Sequence, residues 1–118
     1  MIDTTEIVVG ILSDALDCPV STDIPMSRPS RLAMVALERD IDSDRFIFRP
    51  IYSITCWGSS DRDAKSIALS ALHALSDASE THKWLSSATL EHLTRDEWVK
   101  TGQARYVLSV QTVFNTDE

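Results

Sequence analysis

Two cysteines, Cys18 and Cys56, and three histidines, His73, His82 and His92, are the side chains here best suited to metal ligation or nucleophilic chemistry. Structural zinc sites use such residues at short, paired spacings, and no such spacing occurs in this chain. Cys56 stands between Thr55 and Trp57, where a small buried hydrophobe is the ordinary role. His73 follows Leu72 in a helical pattern and reads as the rim of its apolar stripe. Ser59 and Ser60 follow Gly58, but no Gly-x-Ser-x-Gly turn surrounds them, so a hydrolase nucleophile elbow is not supported. The 3 glycines, Gly10, Gly58 and Gly102, stand far apart and make no phosphate-cradling loop. Carboxylates gather at Asp40–Asp44, Asp61–Asp63 and Asp96–Glu97, positions that read as solvated turns and helix caps. The expectation is a chain without catalytic residues, metal or cofactor, and not an enzyme.

What remains is a group of arginines, Arg28, Arg31, Arg39, Arg45 and Arg49, in an otherwise acidic chain. The planar guanidinium fork suits pairing with carboxylates of a neighbouring copy. Pro25 and Pro29 stiffen the turn carrying Arg28 and lower the entropy lost on docking. Arg28, Pro29, Arg31 and Arg39 are therefore the candidate subunit-interface residues.

The elements that must position them can be read from hydrophobic period. Ile7, Val8, Ile11, Leu12, Ala15 and Leu16 form one stripe, with Asp3 as N-cap and Glu6 three residues on, predicting a helix from about Thr4 to Leu16. Pro19 cannot continue it, and Val20–Ile24 reads as a short edge strand or loop. Leu32–Arg39, uncharged for its first six residues, suits a strand covered on both faces; its Leu, Ala and Met would equally suit a helix by composition, and only the neighbouring segments favour strand. Asp40–Arg45 then reads as a polar hairpin connection. Ile47–Trp57 predicts a strand with Phe48, Tyr52, Ile54 and Cys56 on one face and Ile47, Ile51, Thr55 and Trp57 on the other. Pro50 requires an edge or a bulge in its first half.

Gly58-Ser59-Ser60 ends that strand and opens a second helix, capped by Ser60, whose buried stripe is Ala64, Ile67, Ala68, Ala71, Leu72 and Leu75. His82–Leu93 fits a short helix or a strand, and Thr94–Glu97 reads as a turn. Ala104, Tyr106, Leu108, Val110, Thr112 and Phe114 alternate with Arg105, Ser109, Gln111 and Asn115, predicting a half-exposed strand. Trp57, ending a strand just before the second helix, is expected to pack at the sheet–helix junction. The fold class that satisfies this order is α+β, a mostly antiparallel sheet with two helices on one face.

The length of 118 residues suits one domain spanning the whole chain, and 43% hydrophobic with 25% charged residues suits a globular fold. A formal charge of −7 sets up repulsion from polyphosphate and argues against sequence-specific nucleic-acid binding. No basic-then-apolar leader opens the sequence, and Ile7–Leu12 is far too short to cross a bilayer, so reduced thiols in a cytosol and no membrane partner are expected.

The run Ile24-Pro25-Met26-Ser27-Arg28-Pro29-Ser30-Arg31, then the strand Leu32–Arg39, then Cys56-Trp57 ending a strand before an amphipathic helix, resembles the tail-terminator and tail-completion proteins of long-tailed phages. In that family an I-P-x-x-R-P turn precedes a strand, and a C-W pair ends another. The resemblance covers about Asp3 to Phe114. It implies a sheet with two helices assembled as a homo-oligomeric ring, typically a hexamer, that ends the tail tube. The implied partners are the tail-tube protein and the neck or connector protein, and the implied location is the virion tail or neck, after assembly in the host bacterial cytoplasm. Where relatives often carry a glycine pair between strands, this chain has Arg39-Asp40-Ile41-Asp42. Alternatives are a phage neck or head-closure protein, a small cytosolic homo-oligomeric binding module, and an enzyme whose site is assembled between subunits.

Overall fold

In the computed structural model the described residues are 3–23, 29–40, 46–97 and 103–115. Their elements are α1 (Thr4–Ala15), β1 (Val20–Ser21), β2 (Leu32–Asp40), β3 (Ile47–Phe48), β4 (Pro50–Trp57), α2 (Asp61–Thr81), β5 (Leu85–Glu97) and β6 (Ala104–Asn115). The architecture is α+β. The turn 24–28, with Arg28, and the connection 41–45, with Arg45, lie outside the described residues.

Helix α1 starts where the Asp3 carboxylate accepts the Glu6 N–H at 3.2 Å, as its capping pattern predicts. It buries Val8 and Leu12, with Ile7, Ile11 and Leu16 packed around them. Pro19 then turns the chain extended, and its carbonyl accepts the Ala33 N–H at 3.0 Å. The two-residue β1 that follows lies parallel to β2, the one parallel pairing among the described strands.

Strand β2 is antiparallel to β4, with Leu32 opposite Trp57 and Leu37 opposite Tyr52, and β4 is antiparallel to β6. β3 and β4 share one register on β6, Phe48 opposite Phe114 and Ile51 opposite Gln111, so they are one strand interrupted at Arg49. Pro50 lacks the N–H a ladder needs; it is the first residue of β4, opposite Asp40 and next to the register shift between Leu37 and Arg39, while β3 before it pairs with β6 alone among the described strands, in keeping with the expected edge or bulge. The Pro50 carbonyl accepts the buried Thr112 hydroxyl at 2.7 Å. β5 lies on the other side of β6, so the crossover from β4 through α2 leaves a gap that β6 fills.

Both helices cover the face bearing Ala33, Val35, Tyr52, Ile54, Cys56, Tyr106, Leu108, Val110 and Phe114. The predicted alternation in β4 and β6 matches this division of faces. The Tyr52 hydroxyl ties α1 to the sheet, at 2.6 Å from Thr4 Oγ1 and 2.9 Å from Thr5 Oγ1.

Four expectations need correction. Thr94–Glu97 is not a turn but the end of the 13-residue β5, where Asp96 pairs with Arg105 across the ladder. β2 is covered on both faces only near its start; Ala36 and Leu37 onward are exposed, and β1 pairs with it only at Ala33 and Met34. β6 is central rather than half exposed, and Ser109 on its polar face is wholly buried. Trp57 is wholly buried as expected, but it faces away from the helices and lies outside the helix-covered cluster.

Candidate interface site

The N-terminus of α2 organises the arginines. Ser60 caps the helix by accepting the Asp63 N–H at 3.1 Å, and the Asp63 carboxylate turns back to accept the Ser59 N–H at 2.9 Å. The same carboxylate is gripped by both arms of Arg31, Nε at 2.8 Å and Nη2 at 3.1 Å. Arg31 also reaches Asp17 at 3.1 Å, at the far end of α1. A residue just before β2 therefore clamps the end of one helix to the start of the other.

Beside this clamp, Asp61 accepts Arg95 Nε at 2.6 Å and the Tyr106 hydroxyl at 3.2 Å, while Arg105 Nε pairs with Asp96 at 2.6 Å. Gln103 Nε2 donates to the Gly58 carbonyl at 2.7 Å. A cavity of about 330 Å³ opens next to the clamp, lined by Leu16, Asp17, Arg31, Ser66, Ile67 and Ser70. Because Arg31 already holds two carboxylates, the cavity offers little net positive charge to an anion.

Arg39 belongs to a second cluster on the face turned away from the helices. Its guanidinium meets Glu38 at 2.7 Å and reaches Glu91 on β5 at 3.2 Å, so the sheet curls enough for β2 and β5 to touch over β4 and β6. Ser109 lies beneath and donates to Glu38 at 3.2 Å, with Glu91 at 3.5 Å; Gln111 donates to Glu91 at 3.0 Å. Although His92 Nδ1 is 3.7 Å from Glu91, the Ser109 hydroxyl is buried under carboxylates and cannot reach a substrate.

Of the candidate interface residues, the structure thus places Arg31 and Arg39 in pairs within their own chain. They are not brought together: one lies at the α2 end of the sheet, the other on the opposite face. Pro29 borders the turn, and Arg28 lies outside the described residues. Asp61, Asp63, Glu91, Arg95 and Arg105, which complete these networks, were not legible as partners. Asp61 and Asp63 read as caps, and nothing in the sequence signals a pair 32 positions apart.

No family model matches this chain, and no curated protein matches it. Among the described residues no group of three His, Cys, Asp or Glu side chains could hold a metal ion, and no helix is long and apolar enough to cross a membrane. Cys18 and Cys56 are buried free thiols. Burial pushes the Cys56 thiol up to about 12, which makes it a poor nucleophile near neutral pH. Ser59 and Ser60 both serve the α2 cap, and His82 Nδ1 accepts the Trp84 and Leu85 N–H groups where α2 gives way to β5.

The ionic pairs make stability pH-dependent. Arg31 holds Asp63 below the usual carboxylate range, Arg95 does the same for Asp61, and Gln111 with Arg39 does so for Glu91. A folded value below the unfolded one means the unfolded chain takes up protons first. The stabilisation is therefore complete above about pH 5, begins to fall near the unfolded carboxylate values and is lost as pH falls through the folded ones. Melting temperature should hold steady from pH 7 to 5 and fall below about 4. Asp63→Asn should flatten that acid limb, and parallel limbs for variant and wild type would show that the clamp contributes nothing.

Proposed function

We propose that this chain is a noncatalytic assembly protein of a long-tailed phage or prophage, forming a ring that ends the tail tube and contributes to head–tail joining. The observation that carries the reading is the contact between its two sequence features. Arg31, two residues beyond the I-P-x-x-R-P pattern and before β2, is held in a bidentate pair by Asp63, in the first turn of the helix that Cys56-Trp57 leads into. Arg31, leading into β2, is thereby braced against the start of α2 and the end of α1, which suits a surface that docks rigidly.

Function on this reading is geometric. A ring that matches the tube on one face and differs from it on the other ends growth without bond making or breaking, and heterologous contacts close when their rotation closes. The acidic charge of −7 would serve solubility before assembly.

Deleting the gene from its phage should yield tails of uncontrolled length that fail to join heads, as seen by electron microscopy, and the wild-type chain supplied in trans should restore both. Tails of normal length and normal infectivity without the gene would overturn the reading. Arg31→Glu is a poor probe of docking, because it sets a third carboxylate against Asp17 and Asp63 and should weaken the fold itself.

A further inference from the structure

A single cross-strand row runs over the helix-covered face: Leu37 opposite Tyr52, Tyr52 opposite Val110, Val110 opposite Leu90. Its two middle members are fully buried. Its two ends are not, with Leu37 54% and Leu90 38% exposed, so an apolar row runs off the sheet on both sides. Both ends lie on backbone edges that have no strand partner among the described residues: β5 pairs with β6 alone, and β1 covers β2 only at Ala33 and Met34.

We infer that these two edges pair with each other between copies, β5 of one chain along β2 of the next, with Leu90 beside Leu37. This deepens the ring reading by naming the surfaces in contact, and rests on that reading only for closure of the ring. Three observations favour a second copy of this chain as the occupant. β2 is antiparallel to β4, β4 to β6 and β6 to β5, so β2 and β5 run in opposite directions and can continue one antiparallel sheet. In that arrangement the helix-covered faces lie on the same side and the exposed leucines meet. With Leu90 opposite Leu37, Glu38, Arg39 and Asp40 stand across from Thr89, Ala88 and Ser87, and Glu91 and His92 across from Ala36 and Val35, so no like charges oppose each other.

Register shifts also interrupt both edges. β5 shifts register on both sides of Ser87–Leu90, and β2 shifts just after Leu37, so only a short regular stretch is open on each. Bulges of this kind block indiscriminate edge pairing. Because the two surfaces differ, the contact is heterologous and propagates from copy to copy.

Single-cysteine variants Leu37→Cys and Leu90→Cys, mixed and oxidised mildly, test this directly, since the native thiols are buried. The expected product is the mixed Leu37–Leu90 cross-link in about tenfold excess over either self-pair, and a ladder of multimers from the double variant. Leu90→Arg should weaken self-association in sedimentation experiments by at least about tenfold, with unchanged circular dichroism. Cross-linking of Leu90→Cys to itself would show a two-fold β5 pair instead and overturn the inference. So would a wild-type chain that stays monomeric at about 1 mM. Head-to-tail cross-links in a chain whose deletion leaves tails normal would sustain the edge pairing while removing the tail reading.

Discussion

Trp57→Ala should lower the unfolding free energy by about 3 to 5 kcal/mol, the range for removing a fully buried large aromatic ring. The ring is wholly buried at the end of β4, on the face away from the helices, with Leu32 and Arg105 directly across from it on the neighbouring strands. The Arg105 guanidinium lies 5.8 Å from the ring centroid and is itself tied to Asp96. Alanine would leave a cavity beneath that arginine and remove a cation–π contact of about 0.5 to 1 kcal/mol. Urea unfolding of the purified variant measures the loss, and Trp57→Phe should recover most of it. A double-mutant cycle with Arg105→Ala should show a positive coupling. A loss below about 1 kcal/mol for Trp57→Ala would mean that the ring packs against nothing that matters.

How much of this could be read from residue order depends on which elements keep a clean period. Tyr52, Ile54 and Cys56 alternate strictly with Ile51, Ser53, Thr55 and Trp57, so β4 was legible with its two faces, and α1 and α2 announced themselves by caps and stripes. β5 was not, for a physical reason: register shifts next to Leu85 and Leu90 break the period of two, and its last residues, Thr94 to Glu97, are polar enough to imitate a turn. The charges of Asp96 and Arg95 are satisfied across the ladder and by α2, through Asp96 with Arg105 and Arg95 with Asp61, which only the folded pairing reveals. The side of the sheet on which Trp57 packs was likewise hidden, because alternation says that two faces differ and not which of them the helices take.

The candidate site divides in the same way. Arginine as the residue type to watch was legible, and so was the position of Ser60 as a helix cap. The partners were not, since Arg31 reaches Asp63 and Asp17 only after β2 and both helices have come together. That assembly turns residues read as free to meet another subunit into braces of their own chain. At the sheet edges, by contrast, Leu37 and Leu90 remain exposed.

Gly58→Ala should destabilise the chain by about 3 kcal/mol, the upper part of the usual overpacking range. A β-carbon at Gly58 would fall 2.3 Å from the Ala64 nitrogen, 2.7 Å from the Asp63 carbonyl carbon and 2.8 Å from the Ala64 α-carbon. All three are backbone atoms in the first turn of α2, and the Ala64 N–H is already engaged with the Ser60 carbonyl at 2.9 Å. No rotamer change relieves such a contact, so either the strand end or the helix start must shift. Moving α2 would pull Asp63 from Arg31, and moving the strand would displace Trp57 and the Gly58 carbonyl that Gln103 holds. The contrast is Gly10, exposed within α1, where a β-carbon meets nothing within 4 Å. There the same substitution should stabilise by about 0.5 to 1 kcal/mol, through helix propensity alone. Thermal and urea unfolding of the two variants side by side should therefore give opposite signs. A Gly58→Ala protein that unfolds with the wild type would show that the junction between β4 and α2 is open rather than closely packed.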